Sequence, residues 1–437
     1  MIEIISIFSQ FLIFLVIFSF PFTPKTVASI FNIKFNTISL LDSHCLNIII
    51  FCYFALIFSF LNIDLKIIFK IYLLLSLIYI FLNFKNYSSY FKRSEIFLFL
   101  TFALLVISIF FSVAQNLKLE WDGHHWLEKT LVFFNNYDIE NLKNVKTHPE
   151  YPHLSSYLWA FFWKNSFLEL EYFGRYFHIY FYVISIFFIF NSLKLKKNLT
   201  TISLILFFIL ITYEPYLLAG YQEYLIFSTL IIATRYISLI EFKKFDNVKL
   251  IYLIIFILYL NCWFKDEGAI YFLIFSTILV LLLNVSIISK INFCFLILGL
   301  LILQFFLQKY FIGIYDFPQR PSLSGVFSEI LNINILLTKL SKILLHCLIA
   351  FIKYPLWLII FISIFFLFNS IKKFDPNTKY LLICLSINMI FIFSIFFTFK
   401  SFDFMLKVSL DRLLFQTSGF YIPLFLFLIG NFKLLKK

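Results

Sequence analysis

The chemistry available to this chain is concentrated between residues 121 and 163. Four of its seven histidines (His124, His125, His148, His153) and four of its six tryptophans (Trp121, Trp126, Trp159, Trp163) fall in that stretch. It opens with LEWDGHHWLEKTLVFFNN. In a helix begun at Asp122, a rotation of about 100° per residue puts Asp122, His125 and Lys129 on one face and Leu127, Leu131 and Phe134 on the other. An acid, an imidazole and a cation side by side supply a proton acceptor, a group that orients a hydroxyl, and a counter-charge for an anion. Trp126 and Phe133 fall near the same side and blur the separation, although aromatic rings beside a carboxylate suit a sugar or a prenyl chain. Asp122 has a second reading as a helix N-cap, a position that Asp fills well. Glu120 is either a second acid or a solvated side chain. His124 and His125 point about 100° apart and do not easily ligate one ion together. Only a fold that gathers them with His148 and His153 makes a metal site. We therefore assign no metal ligand and leave a divalent metal open.

The same stretch continues with THPEYPHLSSYLWAFFWKNS. Pro149 and Pro152 keep the residue before each of them out of helical geometry, so the entry is extended. Leu154 to Trp163 then reads as a second interfacial helix with Tyr and Trp at headgroup depth. Two helices lying along a membrane surface would flank one pocket.

Positioning falls to a chain that is 62% apolar or aromatic, only 14% charged, and has a mean hydropathy of +0.94 over 437 residues. Soluble domains average about 45–50% apolar and about 25% charged. This composition excludes an ordinary soluble domain and a disordered chain. Nine glycines and ten prolines exclude collagen-like or linker-dominated architectures. Apolar runs near the ~20 residues that cross a bilayer recur throughout. We expect an all-α, multi-pass bundle with candidate spans at 4–20, 46–61, 67–82, 96–113, 172–190, 202–218, 224–240, 250–263, 269–283, 291–311, 343–368, 380–399 and 413–429. The weakest are the pair around Asp64 and the short run ending at Trp263, so eleven to thirteen spans are expected. One domain covers 1–437, with 114–171 inserted as a polar loop. The N-terminal run has no Lys or Arg before it and no small-residue cleavage site, and reads as a retained helix. Six cysteines without close spacing give no disulfide framework and no Cys-based metal site.

Sidedness follows from charge. With the N-terminus outside, the connections assigned to the cytoplasm hold 18 Lys and Arg against 5 Asp and Glu, and the opposite connections hold 13 against 17. The net +13 is thus a topological bias rather than a sign of nucleic-acid binding. The 114–171 insertion lies outside the cytoplasm on this assignment.

A Trp-Asp pair opening an amphipathic helix, followed about 25 residues later by His-Pro-x-Tyr-Pro and a multi-helix bundle, resembles the bacterial membrane glycosyltransferases of the GT-C superfamily. The plan is similar to that of protein mannosyltransferases and the aminoarabinose transferases of lipid A. The likeness covers roughly 119–163, with a looser match at KDEG, 265–268. In better known members the loop follows the first helix and carries adjacent acids, whereas here four spans precede it and Trp121 separates Glu120 from Asp122. The resemblance implies a donor sugar carried on polyprenyl phosphate and a lipid, glycan or protein acceptor. It also implies an active site on the non-cytoplasmic face of a bacterial inner membrane, with Asp122 as the catalytic residue.

On that footing Asp122 is the base and His125 orients it or the acceptor. Lys129, Lys265, Arg320 and Arg412 are candidates for the donor phosphate. Trp121, Trp126, His148, Tyr151, His153 and Glu267 are candidates for substrate contacts. Simpler readings stand beside these. Glu171 and Arg175 suit an i,i+4 pair, Arg412 suits an interface anchor, Glu214 and Glu223 suit a structural turn, and Arg235 suits snorkelling to the headgroups. Rival functions are a surface-polysaccharide polymerase or ligase, a transporter or flippase, and a non-catalytic scaffold. The first would rely on paired arginine-rich loops. The second would show repeats and broken midplane helices.

Overall fold

The computed structural model describes residues 2–34, 38–88, 93–115, 119, 121–192, 198–240, 242, 247–313, 331–353, 358, 361–362, 365, 374–398 and 401–435. Trp121, Asp122 and a few other helical residues are described by backbone alone. The described residues are helical, with no strand among them. In order they form α1 (Ile2–Ile17), α2 (Pro24–Ile30), α3 (Leu40–Leu61), α4 (Leu65–Leu82), α5 (Phe84–Ser88), α6 (Arg93–Gln115) and α7 (Trp121–Phe134). A 3₁₀ turn (Ile139–Asn144) leads to α8 (Leu154–Lys164), α9 (Tyr172–Ser192), α10 (Asn198–Thr212), α11 (Pro215–Leu218) and α12 (Glu223–Ile237). Then come α13 (Val248–Tyr259), α14 (Asn261–Phe264), α15 (Asp266–Leu282), α16 (Ile287–Ile312), α17 (Ile333–Lys353), α18 (Pro376–Ile395), a 3₁₀ turn (Phe396–Thr398) and α19 (Phe402–Leu435).

The body of every apolar run read from the sequence falls on helix, although the run at 202–218 is interrupted at Tyr213 and Glu214 between α10 and α11, and the runs at 343–368 and 380–399 extend into residues outside those described. Among the described residues six helices are long and apolar enough to cross a membrane: Leu40–Leu61, Leu65–Leu82, Tyr172–Phe190, Ile287–Ile312, Ile333–Ile352 and Pro376–Ile395. That is the signature of an integral membrane protein. The pair around Asp64, weak in the sequence, is well formed. Asn62 ends α3 in the left-handed region at φ 46°, and the Asp64 carboxylate accepts the Lys66 and Ile67 N–H groups to open α4. The run ending at Trp263 is broken at Leu260 into α13 and α14.

The centre of the molecule is α9 and α12, and every residue of α12 is buried. Around them pack α3, α6, α8, α10 and α19. At the periphery α4, α16 and α17 leave most of their apolar surface uncovered, including Leu74, Ile302, Phe306 and Leu348. Such faces match a hydrocarbon solvent rather than water.

Two expectations are corrected. Leu154–Phe162 of α8 is buried on all sides between α3, α7 and α9, so α8 is a core helix and not an interfacial one. Its Trp159 lies under the Arg175 guanidinium at 5.2 Å, a contact that an aromatic ring at headgroup depth would not need. Arg235 does not snorkel. It is buried, with Nε 3.3 Å from the Asp42 carboxylate on α3.

Candidate active site

The polar loop is built against α7. Two neighbouring side chains on that helix, Glu128 and Lys129, hold the segment that carries His-Pro-x-Tyr-Pro. Glu128 accepts the Lys146 N–H at 3.0 Å and the Thr147 hydroxyl at 3.2 Å. Lys129, only 1% exposed, donates to the carbonyls of Pro149 (3.3 Å) and Tyr151 (2.6 Å). Between those two carbonyls, Glu150 O accepts from Gln308 of α16. Three consecutive carbonyls are thereby fixed by two side chains from two helices. Each such bond to a charged donor contributes about 1.5–3 kcal/mol, which offsets part of the cost of burying the ammonium. His148 sits in this clamp at φ +49°, a conformation that a non-glycine residue rarely adopts.

The clamp brings several sequence candidates together. His148 Nδ1 and Glu150 Oε1 are 3.0 Å apart, and the His148 ring stacks on Tyr151 at 4.6 Å and meets the His125 ring edge-on at 5.2 Å. Tyr151 also stacks on Trp126, and the Lys129 ammonium lies 5.5 and 5.7 Å from the centroids of these two rings. Burial pulls the Lys129 ammonium down to about 7, with Asp266, Glu150 and Glu128 giving partial support to its charge. Burial pushes the Glu150 carboxyl up, but the hydrogen bond from His148 and the nearby positive charge outweigh it and hold the carboxyl below its ordinary range.

Other candidates sit elsewhere. Lys129, expected at a phosphate, is occupied by backbone carbonyls. His153 is fully buried, its Nε2 bonded to Ser59 Oγ at 2.8 Å and its ring against Phe60, Phe133 and Trp263. Burial takes its imidazole down to about 3, so it is neutral and packs the core rather than meeting a substrate. His124 is exposed. The four histidines therefore do not gather, and among the described residues no group of three or more His, Cys, Asp or Glu is disposed to hold a metal. The inward face of α7 is Gly123, Trp126, Lys129, Thr130 and Phe133, while Leu131 faces out. Trp121 and Asp122 occupy the first turn of α7, their side chains outside the described residues, and Arg320 also lies outside them.

A second cluster faces that first turn. Glu223, fully buried at the start of α12, accepts from Lys265 Nζ at 2.9 Å and from Arg412 Nε at 2.7 Å, with Arg412 Nη2 in ion-pair contact with the same oxygen at 2.7 Å. Glu267 lies 3.6 Å from the same ammonium. The Arg412 guanidinium rests on the Tyr221 ring at 5.2 Å. On its way to α7, the Tyr221 ring comes within 3.5 Å of where a Cβ on Gly123 would sit, one residue after Asp122. Two glycines permit the convergence. A Cβ on Gly268 would stand 1.9 Å from Asn261 O, and one on Gly419 would stand 2.3 Å from Phe227 O. The first lets the α14–α15 elbow close and brings Lys265 inward. The second lets α19 lie on α12 so that Arg412 reaches Glu223.

Two cations read from the sequence, Lys265 and Arg412, are thus placed together. Arg412 is not an interface anchor at a helix start, for α19 begins at Phe402 and its side chain is 11% exposed. The carboxylate that joins them, Glu223, was read as part of a structural turn. Its signal was an acid at the head of an otherwise apolar run, expensive to bury without a partner. Glu150, between Pro149 and Tyr151, was also passed over. Glu171 and Arg175 do form the i,i+4 pair, with Nε–Oε1 2.8 Å and Nη2–Oε2 2.5 Å.

Compared with known proteins, the chain matches no protein-family model, no curated protein and no solved structure. The functional reading therefore rests on the residues and their geometry.

Proposed function

We propose that this protein transfers a glycosyl group from a polyprenyl-phosphate sugar to a lipid, glycan or protein acceptor on the non-cytoplasmic side of a bacterial inner membrane. The observation that carries the reading is the meeting of Lys265 and Arg412 beside the first turn of α7, through Tyr221, where Asp122 stands. Glycosyl transfer from a lipid phosphate needs little more than cations at the leaving group and a base at the acceptor. In this scheme the Asp122 carboxylate takes the proton of the acceptor hydroxyl as its oxygen attacks the anomeric carbon. The bond from that carbon to the phosphate oxygen breaks on the opposite face, so configuration inverts and polyprenyl phosphate departs with the electron pair. Lys265 and Arg412, with Arg320, meet its charge. His125 orients the acceptor, and Tyr151 and His148 offer a ring and an imidazole to a sugar, while Trp126, only 1% exposed, backs the Tyr151 ring from the core rather than meeting the substrate. Lys129 keeps a structural task, holding the loop that presents His148.

Sidedness tests the scheme before any substrate is known. In a background cleared of the six native cysteines, single cysteines at 122 and 196 are challenged in intact cells with a membrane-impermeant thiol reagent. The lipid-linked donor requires labelling at 122 and none at 196. The reverse pattern puts the loop in the cytoplasm and overturns the proposal in favour of soluble donors or transport.

A further inference from the structure

Two arginine–glutamate contacts among the described residues differ in design. Arg175 grips Glu171 as a fork, each nitrogen on its own oxygen. At Glu223 the two Arg412 nitrogens and the Lys265 ammonium all converge on Oε1, within 2.7–2.9 Å, while Oε2 is buried and has no hydrogen-bond partner among the described residues. A buried carboxylate held for stability ordinarily satisfies both oxygens. Three cationic nitrogens gathered at one oxygen, two of them donating hydrogen bonds to it, instead describe a receptor for a single anionic oxygen such as a phosphate presents. The Glu223 side chain is fully buried, Lys265 and Arg412 are 5% and 11% exposed, and Glu267 at 24% marks the side open to solvent.

We infer that Glu223 is a resident stand-in for the phosphate of a prenyl phosphate: it holds Lys265 and Arg412 together when the site is empty and yields them when the phosphate arrives. This rests on the donor-phosphate reading above and adds to it a carboxylate that competes with the ligand. The carboxylate compensates the two buried cations between turnovers, since an uncompensated buried charge is costly. It also weakens phosphate binding, which favours release of the polyprenyl phosphate product. No covalent change is involved; one anion exchanges for another at the same three nitrogens.

The test is binding, with no turnover required. Purified full-length protein in nanodiscs is titrated with farnesyl monophosphate and, separately, with inorganic phosphate, for wild type, Glu223→Gln, and Glu223→Gln combined with Lys265→Met or Arg412→Met. We expect Glu223→Gln to bind farnesyl phosphate about tenfold or more tighter than wild type, with the gain lost when either cation is removed. A comparable gain for inorganic phosphate assigns the site to phosphate itself, and a gain confined to the farnesyl ester assigns it to a lipid phosphate. Either agrees with the inference. Should Glu223→Gln fold poorly, Glu223→Asp keeps the charge but draws the oxygen back and gives a smaller gain, and phosphate raises the melting temperature of the Gln variant more than that of wild type. Equal affinity in wild type and both Glu223 variants, no binding in any, or a gain that survives loss of either cation overturns the inference. A protein that shows the gain yet transfers no glycosyl group leaves the switch standing and removes only the proposed reaction.

Discussion

Lys129 illustrates how far residue types alone can mislead. A lysine on the polar face of an amphipathic helix reads as a counter-charge for a ligand. Here its ammonium is spent on two carbonyls because the helix turns that face inward. Spacing gives the angle between side chains but not which face the rest of the chain will cover. The consequence is measurable. Burial takes the Lys129 ammonium from an ordinary 10.5 down to about 7, so between these values the unfolded chain holds a proton that the folded chain has lost. Its contribution to stability therefore rises with pH from about 7 to about 10.5, and below 7 it is at its least favourable. In melting experiments from pH 6 to pH 10, wild type is expected to gain on Lys129→Met as pH increases, starting near pH 7. A constant difference across that range would contradict the buried, depressed ammonium. Glu223 and Glu150 teach the converse. Glu223 looks incidental in the sequence because its partners lie 42 and 189 residues away, distances no local pattern reports, whereas the Glu150 carboxylate meets His148 only two residues away, through a left-handed turn at His148 that spacing does not reveal.

Elements were more legible than residues. A hydropathy period is a local property, and the runs that predicted spans fall on helices. What local pattern missed was context. The Leu154–Trp163 helix carries Tyr and Trp like an interfacial helix, yet α3, α7 and α9 enclose it, and a fully buried helix has the same composition. Helix–helix approach depends on single small residues, as packing in membrane bundles generally does. KDEG in the sequence was a motif; in the fold its Gly268 is the point where α15 passes over the Asn261 carbonyl. Gly268→Ala and Gly419→Ala each drive a methyl into a backbone carbonyl. We expect each to destabilise the protein by about 1–3 kcal/mol or more through overpacking and to separate Lys265 or Arg412 from Glu223. Thermal melting checks the first effect, and loss of the phosphate gain in the Glu223→Gln background checks the second. Gly299, with nothing within 4 Å of its Cβ position, serves as the control, and Gly299→Ala should be neutral or slightly stabilising. Equal damage at all three glycines would deny the close approaches their role.

At the scale of the whole molecule, the surrounding solvent decides which helix faces stay uncovered. A centre made of α9 and α12 is surrounded by helices whose outer faces are apolar, and six of the described helices are long enough to cross a bilayer. Ile302, on the outer side of α16, is 68% exposed. In a protein surrounded by water, Ile302→Lys would be harmless. In hydrocarbon, a lysine near the middle of a span costs about 2.5–3.5 kcal/mol on insertion scales. An insertion assay of α16 is expected to show that loss, and unimpaired insertion would argue that this face does not meet lipid. Membrane class was available from composition. The site was not, because it is assembled from α7, α12, α15 and α19, which are far apart in the chain.

The fate of the donor decides whether a glycosyl group is transferred at Asp122. Protein reconstituted into liposomes is supplied with the lipid-linked sugar fraction of the host cell, and free polyprenyl phosphate is measured with time for wild type and Asp122→Asn. Wild type should release polyprenyl phosphate in step with sugar transferred, and the variant, folded and inserted as wild type, should lose about a thousandfold or more of that rate with its base removed. Equal release by the two proteins, or a donor fraction left unchanged by wild type, would contradict the account.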